Sequence, residues 1–462
     1  MNFDDHPIAA ISTPNGAGGI GIVRISGHNA LVIAARVFRP KNPVDITKSA
    51  GYRVYYGHAV KEDGEILDEC LCTVFRAPKS YTGEDCAEIS CHGGLYITQQ
   101  VLRQCINAGA RAAQAGEFTL RAYLNGRVGL EQAEAVAAMI SAQGESSLKA
   151  AQNALDGALG AKVTAMADTL AHMAAQVAAW VDYPDEDIDT PESEDILARL
   201  SPIGAQLLAL IDGYENGRLM REGADTVICG KPNVGKSTLM NLLCGDERAI
   251  VTELAGTTRD ILEETVRLGE VILRLADTAG LRESDSVVEQ IGVQRARERI
   301  KKADLCLLIV DGSQPLEKED KRLLEDCKDR RAIVIVNKED LPQQLDINEL
   351  EGYSLPVVKL CAKTSNAQNS GLERLKSTVL DVLGNANFDP NAPTLISERQ
   401  LACCQKALDS INGAIFDLKL GITLDAAQIS LEDALSDLLE IRGIDARDAV
   451  VDAVFSGFCV GK

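Results

Sequence analysis

The chain has 462 residues, 46% hydrophobic and 25% charged, which at roughly 150 residues per domain implies about three globular domains rather than a disordered polypeptide. Its 68 acidic and 47 basic residues leave a formal charge of −21, a surface that repels nucleic acid overall and argues against a stand-alone RNA binder. No run approaches the ~20 apolar residues of a membrane span, and Asp4 and Asp5 stand where a signal peptide carries positive charge, so a cytoplasmic chain without a membrane segment is expected. The thirteen cysteines form no Cys-x-x-Cys pair and read as small buried hydrophobes in a reducing compartment.

Up to about residue 118 the sequence predicts strands broken by turns, at 8–11, 20–25, 52–56, 70–75 and 87–91, with a helix following Gly94. From Leu130 to Trp180 alanine dominates and strand signals vanish, which predicts long helices. An acidic stretch at 182–189 follows, where Pro184 and Pro191 stop a helix, and helical spacing resumes through Leu197, Leu200, Ile203, Leu207, Leu210 and Ile211. Between Thr226 and about Leu380, apolar runs at 226–229, 271–275, 305–310, 333–336 and 357–360 alternate with helical stretches, the pattern of a mostly parallel sheet covered on both faces. After about residue 390 helices return, with Leu401, Cys404, Leu408, Ile411 and Ile415 on one face. Helical segments on both sides of an α/β module predict one helical domain with the module inserted between its halves.

Gly230-Lys-Pro-Asn233-Val234-Gly235-Lys236-Ser237 is a P-loop, placed after one predicted strand and before the helical run that starts at Thr238. Its glycines let backbone N–H groups curl around phosphates, Lys236 reaches the β- and γ-phosphates, and the Ser237 hydroxyl binds Mg²⁺. Alone, the motif leaves ATP and GTP open. Asp277-Thr278-Ala279-Gly280 follows the run at 271–275, its aspartate suited to the metal's shell and its glycine N–H to the γ-phosphate. Asn337-Lys338-Glu339-Asp340 then selects GTP, because the Asp340 carboxylate accepts two guanine N–H donors that adenine does not offer. Cys361-Ala362-Lys363 stands where GTPases usually carry Ser-Ala-Lys over the base, and Thr258 in Gly256-Thr257-Thr258-Arg-Asp260 fits switch I as a second protein ligand of Mg²⁺. Ras-type enzymes place a water-orienting Gln after the Asp-x-x-Gly element, whereas Leu281 stands here. Glu283, Asp285 and Glu289 are the positional candidates to replace it.

These motifs, with Gly18-Gly-Ile-Gly-Ile-Val-Arg-Ile-Ser-Gly27, Tyr81-Thr-Gly-Glu-Asp85, His92-Gly-Gly94, Gly116-Glu-Phe-Thr-Leu-Arg-Ala-Tyr-Leu-Asn125 and Phe458-Cys-Val-Gly-Lys462, closely resemble the MnmE (TrmE) family of tRNA modification GTPases. The resemblance runs in order along the whole chain; Val460 stands where the family usually has Ile. It implies an α/β plus all-α architecture. Residues 1–119 would form a tetrahydrofolate-binding and dimerisation domain, and 120–217 with 383–462 a discontinuous helical domain. Residues 218–382 would be an inserted Ras-like P-loop G domain. It implies a homodimer and a heterotetramer or larger complex with the FAD protein MnmG. Together these install an aminomethyl-type group on carbon 5 of the wobble uridine of tRNA, drawing the one-carbon unit from a tetrahydrofolate.

By the same resemblance, Arg24, Glu84, Arg127 and Lys462 match folate-contacting positions. Asn233, Thr252, Leu254 and Thr257 match the oxygen ligands of a K⁺ ion that stands in for an arginine finger. Glu289 matches the carboxylate that positions water, which answers the gap left by Leu281. Cys459 matches a terminal cysteine that is either a nucleophile on the uracil ring, activated by Lys462, or a packing residue beside the folate pocket. The competing function is a regulatory GTPase switch of the ribosome-assembly type, disfavoured by the net charge and by the lack of a basic RNA-binding module in the sequence. The basic stretch 295–302 reads as a solvated helix face, with a contact to tRNA or a partner as the alternative.

Overall fold

The computed structural model describes residues 6–142, 144–182, 192–246, 263–269, 271–276, 299–363, 370–384, 389–421, 424–444 and 448–462. The chain divides into two compact units, one made of 1–137, 154–204 and 397–462, the other of 138–153 and 205–396.

In the first unit, β1 (Ile8–Ile11), β2 (Ile20–Ser26), β3 (Phe38–Pro40), β4 (Arg53–Val60), β5 (Ile66–Phe75), β6 (Cys86–His92) and β7 (Arg111–Ala112) form one sheet in the order β3-β4-β5-β6-β2-β1-β7. All neighbours pair antiparallel except β1 with β7. The period-two alternation of side chains buries Val23 and Ile25, Cys70, Cys72 and Val74, and Ala87, Ile89 and Cys91 on one face. The helices Ala30–Val37 and Leu95–Asn107 cover that face through Leu31, Ile33, Val37, Val101 and Cys105. The opposite face carries Arg24 and Glu88, cross-strand partners in the β2–β6 register.

The rest of this unit is helical, as the alanine-rich stretches predict: Glu117–Leu124, Ala158–Asp182, Glu398–Lys419, Leu424–Arg442 and Asp448–Ser456 are its principal helices. The buried stripe of Glu398–Lys419 is Cys403, Cys404, Ala407, Ile411, Ala414 and Leu418, whereas Leu401, Leu408 and Ile415 are half-buried. Close helix packing places small residues at the centre of the contact and larger ones at its rim, which shifts the face from the sequence expectation. Helix Leu130–Ser141 contributes two buried glutamates, one turn apart. Glu134 accepts from Arg399 Nε (2.9 Å) and Nη2 (2.8 Å), Ser397 Oγ (2.8 Å) and Gln400 Nε2 (2.6 Å). Glu131 lies 3.9 Å from Arg442 Nε, and its Oε2 is buried without a hydrogen-bond partner. Burial pushes the Glu131 carboxyl above the usual range, with Arg442 opposing.

The second unit is built on β8 (Ala224–Cys229), β9 (Glu263–Leu268), β10 (Val271–Ala276), β11 (Leu305–Asp311), β12 (Ala332–Asn337) and β13 (Val357–Lys359), in the order β13-β12-β11-β8-β10-β9. Every pair is parallel except β9–β10 at one edge. β11 and β12 are buried along their whole length, as apolar runs without alternation require. One core lies on each face of the sheet: Leu307, Ile309, Ile333 and Ile335 point to one, Cys306, Leu308, Val334 and Val336 to the other.

Among the described residues, helix Ser193–Glu222 meets the length and hydropathy of a membrane span, which the sequence reading did not allow for. It contains Pro202 and buries a one-sided stripe through Ile196, Leu200, Ile203, Leu207, Leu210 and Tyr214, with exposed positions between them.

Candidate functional site

Each described piece of the nucleotide site leaves the C-terminal end of a parallel strand, where ligands settle in open α/β sheets. β8 runs into the turn 230–235, and helix Lys236–Asp246 follows. Val234 is buried in the core and pins the loop. Asn233 adopts a left-handed conformation (φ 65°), which asparagine tolerates better than most residues. Gly235 is required for two reasons. Its φ is 107°, and an added Cβ would lie 2.2 Å from Asn337 Nδ2. Lys236 Nζ donates to Gly230 O (2.8 Å) and Lys231 O (2.9 Å), and burial pushes its pKa down. Ser237 is exposed at the helix N-terminus, with Thr238 half-buried behind it.

Asn337, at the end of β12, joins two loops. Its Nδ2 donates to Val234 O (2.8 Å) and its Oδ1 accepts from the Ala362 N–H (3.0 Å). Lys338 has φ 66°, and its Nζ lies 2.6 Å from Asp311 Oδ2 at the end of β11. Burial alone would raise the Asp311 carboxyl; Lys338 and Ser313 hold it below its ordinary value. Asp340 is exposed and accepts from Cys361 Sγ at 3.1 Å. The cysteine that departs from the usual serine therefore contacts the Asp340 carboxylate through its side chain. Ala362 is buried and Lys363 exposed beside it.

Thr252, Leu254, Thr257, Thr258, Asp277, Thr278, Ala279, Gly280, Leu281, Glu283, Asp285 and Glu289 lie outside the described residues. Among the described residues no group of three or more His, Cys, Asp or Glu converges to hold a metal. A P-loop Mg²⁺ draws instead on a hydroxyl, phosphate oxygens and water, and exposed Ser237 offers such a hydroxyl at the helix start.

A second cluster forms on the open face of the first unit's sheet. Arg24 Nε pairs with Glu88 Oε1 at 2.8 Å, the salt bridge that cross-strand spacing allows, and its guanidinium lies 5.5 Å from the ring centroids of both Tyr81 and Phe118. Two residues along β2 on the same face, Ser26 Oγ donates to Glu84 Oε2 (2.7 Å). Buried Arg121 holds Glu84 from the other side (Nη1 to Oε1 3.2 Å, to Oε2 3.3 Å). Arg127 is exposed; its N–H donates to Ala122 O, and its Cγ packs on Gly83 in the Glu84 loop.

The C-terminal segment closes the cluster. Val460 bridges to Ala115 as an antiparallel pair, the Gly116 N–H donates to Cys459 O (3.4 Å), and the Phe118 N–H donates to Lys462 O (3.3 Å). Gly461 O accepts from Ser12 Oγ (3.2 Å) and Arg24 Nη1 (3.4 Å). Gly461 has φ 97°, and a Cβ there would lie 2.3 Å from Ile11 O. The Cys459 side chain is exposed. Arg24, Glu84 and Lys462 are thus gathered around β2 and the tail. Ser26, Tyr81, Arg121 and Phe118 stand in the motifs quoted from the sequence but carried no role there; Ser26 was within reach as the next same-face position after Arg24.

Comparison with known proteins gives matches along the whole chain. The model described as "GTP-binding protein TrmE N-terminus" matches residues 7–127, and that described as "MnmE helical domain" matches 130–459. Proteins named "tRNA modification GTPase MnmE" are similar from end to end. That of Acetivibrio thermocellus is 39% identical over 462 residues, covering 100% of both chains. That of Listeria innocua is 40% identical over 467 residues, again covering 100% of both, and that of Enterococcus faecalis is 39% identical over 465, covering 100% of this chain and 99% of its own. With similarity at this level sustained along the full length, the chain belongs to the MnmE family of tRNA modification GTPases.

Proposed function

We propose that the chain hydrolyses GTP to GDP and phosphate in the course of tRNA modification. The observation that carries this reading is the Asn337 bridge, which ties the P-loop at Val234 to Ala362 and leaves the Asp340 carboxylate exposed beside them. Phosphates would be received by the N–H groups of 233–238. Lys236, now held by two carbonyls of its own loop, would transfer to the β- and γ-phosphates. Guanine would be read by Asp340 with Lys338, Cys361, Ala362 and Lys363 around the base. Ser237 and Thr258 would hold Mg²⁺, with Asp277 in its outer shell and Thr278, Ala279 and Gly280 along the γ-phosphate. Mg²⁺ would neutralise charge developing on the phosphoryl group.

In the fuller reading, Asn233, Thr252, Leu254 and Thr257 bind K⁺, Glu289 orients the attacking water, and two G domains of a homodimer complete each other's sites. The cluster of Arg24, Glu84, Arg127 and Lys462 receives a tetrahydrofolate derivative: cations face an anionic ligand, Glu84 accepts from ring N–H donors, and the Tyr81 and Phe118 rings offer apolar walls. With the FAD-bearing MnmG, the one-carbon unit becomes the aminomethyl-type group on the wobble uridine, and exposed Cys459 is available as a nucleophile. The domain limits 1–119, 120–217, 218–382 and 383–462, and a cytoplasmic site of action, belong to this proposal. The test is steady-state GTP hydrolysis in K⁺ and in Na⁺, with calorimetric titration of 5-formyltetrahydrofolate. Faster turnover in K⁺ and a folate heat are expected. Turnover without any folate heat would reduce the chain to a GTPase switch.

A further inference from the structure

The second residue of the P-loop is a lysine whose side chain points away from the phosphate position. Lys231 is 8% exposed, and its Nζ lies 3.2 Å from Asp320 Oδ2 and 3.2 Å from Glu317 Oε1. Both carboxylates belong to the N-terminus of helix Lys318–Cys327, which lies beyond β11 in sequence. Asp320 is 2% exposed and already caps that helix, accepting the Glu317 N–H at 3.0 Å in a reciprocal capping box. Its other oxygen, Oδ1, is buried without a partner, so Lys231 is the cation that compensates this carboxylate.

The backbone of the same residue faces Lys236. Lys231 O and Gly230 O are the two acceptors that hold Lys236 Nζ, at 2.9 and 2.8 Å. One residue therefore fixes the loop to a neighbouring helix with its side chain and holds the phosphate-seeking lysine with its carbonyl. Coupling of this kind follows from geometry, since a P-loop works by presenting N–H groups already curved for phosphate. A loop that must be reordered on binding loses affinity, whereas bound phosphates restore the curvature before the chemical step.

We propose that Lys231 is a positioning residue for nucleotide binding: its ion pairs to Asp320 and Glu317 hold the start of the P-loop in the conformation that receives phosphate. It touches no reacting atom. The inference rests on the GTPase reading, and its test separates the two. The full chain is assayed in K⁺ and Mg²⁺ for GTP turnover, and for GDP affinity with a fluorescent N-methylanthraniloyl analogue. Lys231→Met should raise KM for GTP and weaken GDP binding about tenfold, with kcat at saturating GTP within about twofold. Lys231→Arg should recover most of the loss. Asp320→Asn should reproduce the KM rise and carries the test alone if Lys231→Met does not fold. The double variant should be no worse than either single, since both remove one interaction. Unchanged KM and GDP affinity in the variants, whatever their melting temperatures, would overturn the proposal, as would losses that multiply in the double variant. Wild-type protein that ignored GDP would sink the GTPase reading instead.

Discussion

The two candidate sites are held together in opposite ways. In the nucleotide site every described part is a loop at the end of a parallel strand, and the sheet sets the spacing: Lys236 meets carbonyls five and six residues away, and Asn337 reaches Val234 across two strand-to-strand steps, over the end of β11. In the N-terminal cluster the closing contacts join residues 449 and 437 positions apart, Ser12 and Arg24 with Gly461. A loop on a buried sheet inherits its geometry from the core. A tail laid on a sheet face depends on a few hydrogen bonds and one glycine. The first arrangement should tolerate nearby changes and fail only at its own residues; the second should fail when the tail is lifted.

Two substitutions test that contrast. Asp340→Asn should weaken GTP binding roughly 10²-fold while leaving the folate heat intact, because the amide offers an N–H donor where guanine also presents donors. Xanthosine nucleotides should bind in its place, and competition against labelled GDP measures both effects. Gly461→Ala should reduce 5-formyltetrahydrofolate affinity about tenfold, since a side chain at that φ costs about 1–3 kcal/mol and meets Ile11 O. GDP affinity should stay within about twofold; equal losses at both sites would erase the distinction between them.

The smallest effect concerns the helices under the tail, where Leu130 packs with Phe455 and Phe458. Glu131, next in sequence, is held above the usual carboxyl range by burial. Its stabilising contribution is therefore present below the unfolded-state pKa and lost as pH rises through the folded one. Glu131→Gln should be more stable than wild type by about 1 kcal/mol near pH 8, with the advantage gone near pH 4. Thermal melts across that range read it. Glu134→Gln is the contrasting control, because four donors already satisfy that carboxylate.

The sequence made the second unit's sheet legible because continuous apolar runs, four of the five followed by a loop motif, have few alternative readings. It concealed β9, whose Glu263, Glu264 and Arg267 suit an edge strand and mask its pairing with β10. β3 and β7, of three and two residues, are too short for any periodicity to register. Helix Glu398–Lys419 was found, but its buried stripe was misplaced because Ala407 and Ala414 carry little hydrophobic signal. Asn337, Lys236 and Asp340 announced themselves by spacing. The helix partner of Lys231 and the role of Arg121 under Glu84 did not, since each depends on which segments the fold brings side by side.

The distribution of thiols has a practical consequence. Of thirteen cysteines, ten are buried, Cys244 and Cys361 are half-buried, and Cys459 alone is exposed. A maleimide dye added to native protein in limiting amount should therefore attach at the tail without any cysteine being engineered away. Its emission would report, in real time, whether that last segment stays seated while nucleotide turns over elsewhere in the chain.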